Sequence, residues 1–133
     1  MSARARTGER GAAVVDFVLV LLVLLPLVLG ILQLALVLHV RNTLASAASE
    51  GARHAAVAGS SAPAGAAKVQ ELIDGALSPE FSRSVAVRPA LVGGAPGYEA
   101  VIEAEVAVLG LGDAGIRVRV EGHAIAEQAA VQP

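Results

Sequence analysis

Asp16 is the residue of this sequence whose setting most clearly suggests chemistry. It directly precedes an apolar run, Phe17 to Leu32, without a single polar side chain, and after Gln33 five more apolar residues lead to Leu38. An ionised acid costs about 2.5 to 3.5 kcal/mol at mid-membrane on insertion scales, and less at the interface. The carboxylate therefore stands where a neighbouring chain or a processing enzyme would meet it. A simpler interpretation is an interfacial acid favoured by the positive start of a helix.

No other group of residues has the spacing of a catalytic or metal site. The three histidines fall at the edge of the apolar run, on a predicted helix and on a predicted strand: His39, His54 and His123. That spacing does not converge them on a metal. The chain has no cysteine, which excludes thiol catalysis and disulfides, and no glycine pattern follows a strand and opens a helix as a phosphate loop requires. The sequence predicts a protein that is not an enzyme and holds no cofactor or metal.

The apolar run that starts at Asp16 predicts a transmembrane helix. About 22 residues rising about 1.5 Å each give roughly 33 Å, enough to cross the roughly 30 Å hydrocarbon core of a bilayer. The whole chain fits this interpretation, because 55% of its residues are hydrophobic and its mean hydropathy is +0.65. Only 2% are aromatic, so a soluble core built from the rest must be shallow.

The basic residues around the apolar run predict its orientation. Three arginines precede it, Arg4, Arg6 and Arg10, and Arg41 alone follows it closely. Because basic residues bias their side of a span to the cytoplasm, we expect a single-pass protein of the cytoplasmic membrane, with the amino terminus inside and the bulk of the chain outside. The bilayer is then a partner. No basic cluster is dense enough to indicate nucleic acid.

Residues 1–11 form a short basic leader that should be unstructured in water. A secretory signal peptide is the competing interpretation, since it also begins with basic residues and Ala45-Ser46-Ala47 matches a small-residue cleavage site. A signal peptide has an apolar region of about 7 to 15 residues, and the run here is longer. The membrane helix is therefore favoured over a cleaved signal.

Beyond Leu38 the sequence keeps a helical period, which predicts one long helix over residues 12–58. A stripe of small residues follows one side of it: Ala45, Ala48, Ala52 and Ala56. Small residues allow another backbone to approach closely. The stripe predicts either a helix lying on its own domain or packing between subunits of a filament, and the sequence leaves both open.

Residues 59–66 are rich in Gly, Ser and Pro and predict a turn or linker before a small domain over residues 67–133. That domain begins with an amphipathic helix that should stop at Ser78, before Pro79. Alternating apolar residues then predict three strands, Ser84–Arg88, Tyr98–Val108 and Ile116–Ala126. The class is α+β, with a three-stranded antiparallel sheet whose apolar side the second helix covers.

Charges predict the pairing of the last two strands. Placing Glu105 opposite Arg117 also sets Glu103 opposite Arg119 and Glu99 opposite His123. Such pairs contribute about 0.2 to 1 kcal/mol each, and a slip of one residue would turn the apolar face outward. One register therefore satisfies all three pairs, and the glutamates form the solvated face of a strand.

Two motifs carry a family resemblance. The string R-G-A-A-V-V-D-F-V-L-V-L-L-V-L-L-P begins at Arg10, and R-N-T-L-A-S-A-A-S-E-G-A-R-H-A-A begins at Arg41. Their separation by a membrane run resembles the TadE-like pseudopilins of tight-adherence (Flp-type) pilus systems. In that family a basic leader ends in Gly, an acid lies five residues later before an aromatic residue, and an alanine-rich segment follows the span. The resemblance covers roughly residues 10–58.

The resemblance implies roles for four residues around the leader. Gly11 would be the last residue of the leader, Ala12 the first mature residue, Asp16 the fifth and Phe17 the sixth. It implies a prepilin peptidase that cuts this chain as its substrate, other pilin or pseudopilin subunits, and a pilus assembly platform as partners. Asp16 would pair with the new amino terminus of a neighbouring subunit. The chain departs from the family at this position, where Asp replaces a Glu that is one methylene longer.

Two hypotheses of different classes follow. The first is a minor pilin-like structural subunit, anchored in the membrane and taking part in assembly of an adhesive pilus. The second is an unprocessed single-pass protein whose outer domain binds a ligand or an envelope partner without polymerising. The mature amino terminus distinguishes them, because only the first requires a cut between Gly11 and Ala12.

Overall fold

The computed structural model describes residues 5–78 and 82–127. They form two helices and one sheet: α1 (Ala5–Ala56), α2 (Ala62–Ala76), β1 (Ser82–Val92), β2 (Ala95–Ala107) and β3 (Gly115–Ile125). The predicted α+β class is confirmed. The chain divides into two compact units, Met1–Ala35 and Leu36–Pro133.

The first unit is helical from Ala5 onward. The expectation that the leader, residues 1–11, is unstructured is wrong for residues 5–11, and residues 1–4 lie outside the described part of the chain. Adding a turn to an existing helix costs far less than nucleating one, and Ala, Arg and Glu are good helix formers. The apolar helix therefore extends backward to Ala5.

The connection between α1 and α2 is shorter than the predicted linker over residues 59–66. α1 ends at Ala56, and Gly59 takes a positive φ of 82°, a conformation that favours glycine. Ser61 then caps α2, because its Oγ accepts a hydrogen bond from the Ala64 backbone N–H at 3.3 Å, and Pro63 follows in the first turn. The Ser and Pro that predicted a linker are the start signal of the helix, which ends at Ala76, two residues before the predicted stop.

The sheet has the order β1-β2-β3, with antiparallel neighbours. The predicted register is confirmed at all three positions, with Glu105 opposite Arg117, Glu103 opposite Arg119 and Glu99 opposite His123. A two-residue turn at Gly93 and Gly94, both with positive φ, joins β1 to β2. The strands are longer than predicted at the β1–β2 end because this tight turn lets pairing continue up to Val92 and Ala95.

The second unit has one hydrophobic core on the apolar face of its sheet. The part of α1 after Leu36 and one side of α2 cover this face, and the prediction that α2 lies there is confirmed. The largest fully buried side chains come from both helices and from β2: Val40, Leu44, Val69, Ile73, Ile102 and Val106. The core is built almost entirely of aliphatic residues, as the low aromatic content requires.

Glycines bring α1 close to both of its neighbours in this unit. A Cβ added at Gly122 of β3 would collide with the backbone of Ala48 and Ser49. A Cβ added at Gly65 of α2 would lie 2.7 Å from the Gly51 carbonyl oxygen of α1. The helix therefore packs on strand and helix at backbone distance, which only small residues allow.

Candidate functional site

The apolar segment of α1 leaves its side chains uncovered. From Gly8 to Ala35 every residue is exposed except Gln33, which is half-buried. Within the described residues α1 is the one helix long and apolar enough to cross a membrane. Pro26 lies inside it without ending it. One such helix at the amino terminus fits a single-pass membrane anchor.

The residues of the predicted processing site all lie on α1, and all four are exposed: Gly11, Ala12, Asp16 and Phe17. Ala12 and Asp16 are four residues apart and so neighbour each other on one side of the helix. Among residues 5–78 and 82–127, nothing forms a hydrogen bond or ion pair with the Asp16 carboxylate. A charged group thus lies at the start of an uncovered apolar surface.

The small-residue stripe of α1 lies inside the chain's own second unit. Ala48, Ala52 and Ala56 are buried there, and Ala45 is half-buried. This is the first of the two arrangements that the sequence left open, a helix lying on its own domain. The three buried alanines offer no surface to another subunit while the domain is folded. Packing between subunits through the stripe stays a prediction, and in the folded domain only Ala45 is available for it.

A network of charged side chains covers the solvated face of the sheet. The Arg88 guanidinium donates to Glu99 Oε2 from Nε at 2.7 Å, with Nη2 at 2.6 Å, and His123 Nε2 lies 3.3 Å from Glu99 Oε1. Only 15% of the Glu99 side chain is exposed. The hydrogen bond from Arg88 lowers the pKa of Glu99 below its ordinary value, with a smaller contribution from His123. Glu99 is therefore the centre of a three-strand cluster.

Arg119 connects a second part of the same face. It donates to Glu121 Oε1 from Nε at 3.1 Å and to Glu103 Oε1 from Nη1 at 3.3 Å. The predicted pair with Glu103 is therefore present, but Arg119 divides its donors between two carboxylates. Glu121 competes because it lies two residues further along the same strand and so on the same face.

One trio on this face has the composition of a metal site. Ligand atoms of Glu99, Glu121 and His123 all lie within 4.8 Å of one another. The sequence spacing of the histidines gave no indication of it. Each carboxylate already has an arginine partner, Arg88 or Arg119, so a cation would have to displace these guanidinium groups. The geometry is that of a network of ion pairs and does not indicate a metal site.

Sequence reasoning missed Arg88 and Glu121 in this network. Arg88 could have been found, because a two-residue turn at Gly93-Gly94 places it opposite Glu99. The predicted strands ended at Arg88 and resumed at Tyr98, so the register of β1 stayed open. Glu121 had no comparable indication in the sequence, because the residue opposite it on β2 is the uncharged Val101.

Two surface depressions in the described part of the second unit show no catalytic arrangement. One of about 340 Å³ lies between β2 and β3 and is lined by Glu103, Glu105, Arg117 and Arg119. Another of about 410 Å³ lies between α1 and α2, beside Asn42, Thr43, Ser46 and Leu72. Neither set pairs a nucleophile with a base.

Comparison with known proteins gives one match. A family model described as TadE-like protein matches residues 11–53. The match begins at Gly11 and ends at Arg53, so it contains Asp16, the apolar run and the alanine-rich segment beyond it. No curated protein and no solved structure matches the chain.

Proposed function

We propose that this chain, which matches a TadE-like family model over residues 11–53, is a membrane-anchored minor pilin-like subunit that takes part in assembling a tight-adherence (Flp-type) pilus. That match supports a link to this pilus system and a structural rather than a catalytic role. The proposal adds the subunit's role, its processing and its partners.

The observation that carries the proposal is the uncovered apolar surface of α1 with Asp16 at its start. An apolar surface of this length is unfavourable in water and needs lipid or other apolar helices around it. Lipid surrounds it after synthesis. In a pilus, the helices of other subunits replace the lipid, so the same surface serves the membrane-bound and the assembled state.

Asp16 would specify the contact between subunits. Cleavage between Gly11 and Ala12 would leave a positively charged amine at Ala12, at the same end of the apolar helix. Two opposite charges in a medium of low dielectric attract strongly, because each would otherwise be unpaired. We infer that the Asp16 carboxylate of one subunit binds the amino terminus of a neighbour.

The same proposal names the other partners and the orientation. A prepilin peptidase would cut the chain on the cytoplasmic side, and the arginines before the apolar run favour this side for the amino terminus. An assembly platform would then move the subunit into the filament. The second unit, Leu36–Pro133, would lie outside the cytoplasmic membrane.

Replacing Asp16 by Ala tests the role of this residue in assembly. We expect Asp16→Ala to insert into the membrane as the parent does, since removing a charge favours insertion, and to abolish pilus formation and subunit cross-linking. Asp16→Glu keeps the charge and restores the family's residue, so it should retain both. Normal piliation with Asp16→Ala would exclude the proposed contact.

The alternative is an unprocessed, anchored binding module, and one observation favours it. The alanines that could have joined subunits are buried in the chain's own domain, and the solvated face of its sheet is densely charged. Such a domain could bind a charged partner without polymerising. A chain that keeps Met1 or Ser2 in cells that form the pilus would favour this alternative.

A further inference from the structure

The β2–β3 loop lies at the end of the second unit where α1 enters it. β3 runs in the same direction as α1, because Gly122 lies against Ala48 and Ser49, and further along both elements the Glu127 backbone N–H donates to the Ala56 carbonyl at 2.9 Å. The start of β3, Gly115, is therefore directed toward Leu36. The β1–β2 turn lies at the opposite end of the sheet.

This end of the unit reaches the level at which the apolar run stops. Leu36 and Val37, among the last residues of that run, pack against the core under the sheet. From Gly122 back to Gly115 a strand covers about 23 Å, whereas α1 needs only about 15 Å from Ala48 to Leu38. Even an inclined strand thus brings its first residues level with Leu38.

The loop presents apolar side chains at its tip. It spans Val108–Ala114 and is held by backbone hydrogen bonds, including Val108 N–H to the Ala114 carbonyl at 2.9 Å. Gly110 and Gly112 have positive φ values of 85° and 61°, which turn the chain tightly around the leucines beside them. Leu111 is 67% exposed and Leu109 44%, and Ile116, just after the loop, is 39% exposed.

We propose that this apolar tip is a second membrane contact, which inserts into the lipid headgroup and upper acyl region. The two exposed leucines of the loop are unfavourable in water and favourable in that layer, and Asp113 is the one charged residue of the loop. Arg41 is exposed and lies about one helical turn after Leu38, and Arg117 is exposed and lies two residues after Gly115. Both are at the level where lipid phosphates would be. The tip would hold the domain against the bilayer surface.

Lipid is favoured over a protein partner because Leu36 and Val37, near the end of the apolar run, pack in the same unit as the tip. If the apolar run spans the bilayer, Leu36 to Leu38 lie at its surface, and the tip belongs to the same compact unit as these residues. The inference rests on the membrane anchoring in the proposed function and on no other part of it, neither cleavage nor assembly.

The absence of cysteine allows a direct test with the full-length chain. Single variants Leu111→Cys, Leu91→Cys and Leu27→Cys would each carry an NBD fluorophore in vesicles of phosphatidylcholine and phosphatidylglycerol that contain nitroxide-labelled lipid. Leu91 is the matched control, since it is 76% exposed at the β1–β2 turn, the far end of the sheet. Leu27, in the apolar helix, reports whether the anchor is inserted.

We expect NBD at position 111 to shift to the blue and to be quenched by shallow nitroxides at least about two-fold more than at position 91. Equal, weak quenching at 111 and 91 with strong quenching at 27 would overturn the inference and leave the anchor intact. A blue shift at 111 without lipid quenching would mean that a protein covers the tip, which also overturns it. No quenching at 27 would contradict the anchoring itself, and the inference with it.

Discussion

The two units of this chain use the same aliphatic residues in opposite ways. In the second unit Leu44, Ile73 and Ile102 are fully buried, and no buried side-chain nitrogen or oxygen in the described residues lacks a hydrogen-bond partner. In the first unit Leu, Val and Ile side chains of the same size are exposed from Val14 to Leu34. The second unit therefore meets its own packing needs, while the first depends on what surrounds it. Most of the apolar surface that lipid or other subunits would cover therefore belongs to the first.

The largest expected effect comes from emptying the core of the second unit. Ile102→Ala should lower its free energy of unfolding by about 2 to 5 kcal/mol, because it removes three buried carbon atoms and leaves a cavity. Chemical unfolding in detergent, followed by the fluorescence of Tyr98, the only tyrosine in a chain without tryptophan, measures it.

The matched control for Ile102→Ala lies in the other unit. Leu22→Ala removes a comparable side chain from a position that is exposed. It should leave the unfolding midpoint of the domain unchanged. A shift as large as that of Ile102→Ala would mean that the two units do not differ as described.

A smaller effect is expected from glycines. Gly122→Ala should destabilise the second unit by about 1 to 3 kcal/mol, since the new methyl group meets the backbone of α1, which has little room to move. Gly30→Ala in the apolar helix and Gly75→Ala in α2 meet no atom within 4 Å. These two substitutions should not destabilise the second unit. Thermal unfolding of the three variants would show whether Gly122→Ala alone lowers the midpoint. If Gly30→Ala instead blocks pilus formation, Gly30 is a contact with another subunit.

The smallest expected effect is the loss, at low pH, of the stability that Glu99 contributes to the second unit. The pKa of Glu99 is lowered in the folded state, so its pairing stabilises the domain fully above the ordinary glutamate pKa, and this contribution is lost as the pH falls through the lowered value. Glu99→Gln should therefore destabilise the domain at about pH 7 and differ little from the parent at about pH 2. Unfolding midpoints across this range measure the difference. Glu103→Gln is the control, because its pair with Arg119 is more than half exposed and should contribute less. A parent–variant gap for Glu99→Gln that does not shrink in acid would contradict this role.

The sequence predicted the parts of the fold in which two independent patterns agree. The β2–β3 register was correct because alternating apolar residues and opposite charges, such as Glu105 and Arg117, select the same pairing. The membrane helix and its acid were equally visible, since an apolar run of that length is typical of a membrane span and rare in a soluble domain. Both are local or nearly local patterns.

The packing of the alanine stripe could not be predicted, because alanine carries no information about its partner. Whether Ala48 meets its own sheet or another subunit depends on Gly122, more than 70 residues later in the chain, coming within backbone distance. The contact between Arg88 and Glu99 likewise required the exact turn at Gly93 and Gly94. These features depend on tertiary pairing, which a single sequence does not show.

The mature amino terminus tests the central claim most directly. Intact-mass measurement of the chain purified from cells that assemble the pilus should show a protein beginning at Ala12, and the same chain from cells lacking the prepilin peptidase should keep its leader. Cleavage at Gly11 would place a free amine at the start of the exposed helix, four residues before Asp16. A chain that begins at Met1 or Ser2 in both strains would contradict the pilin-like subunit, and one that begins at Ala48 would contradict the membrane anchor as well.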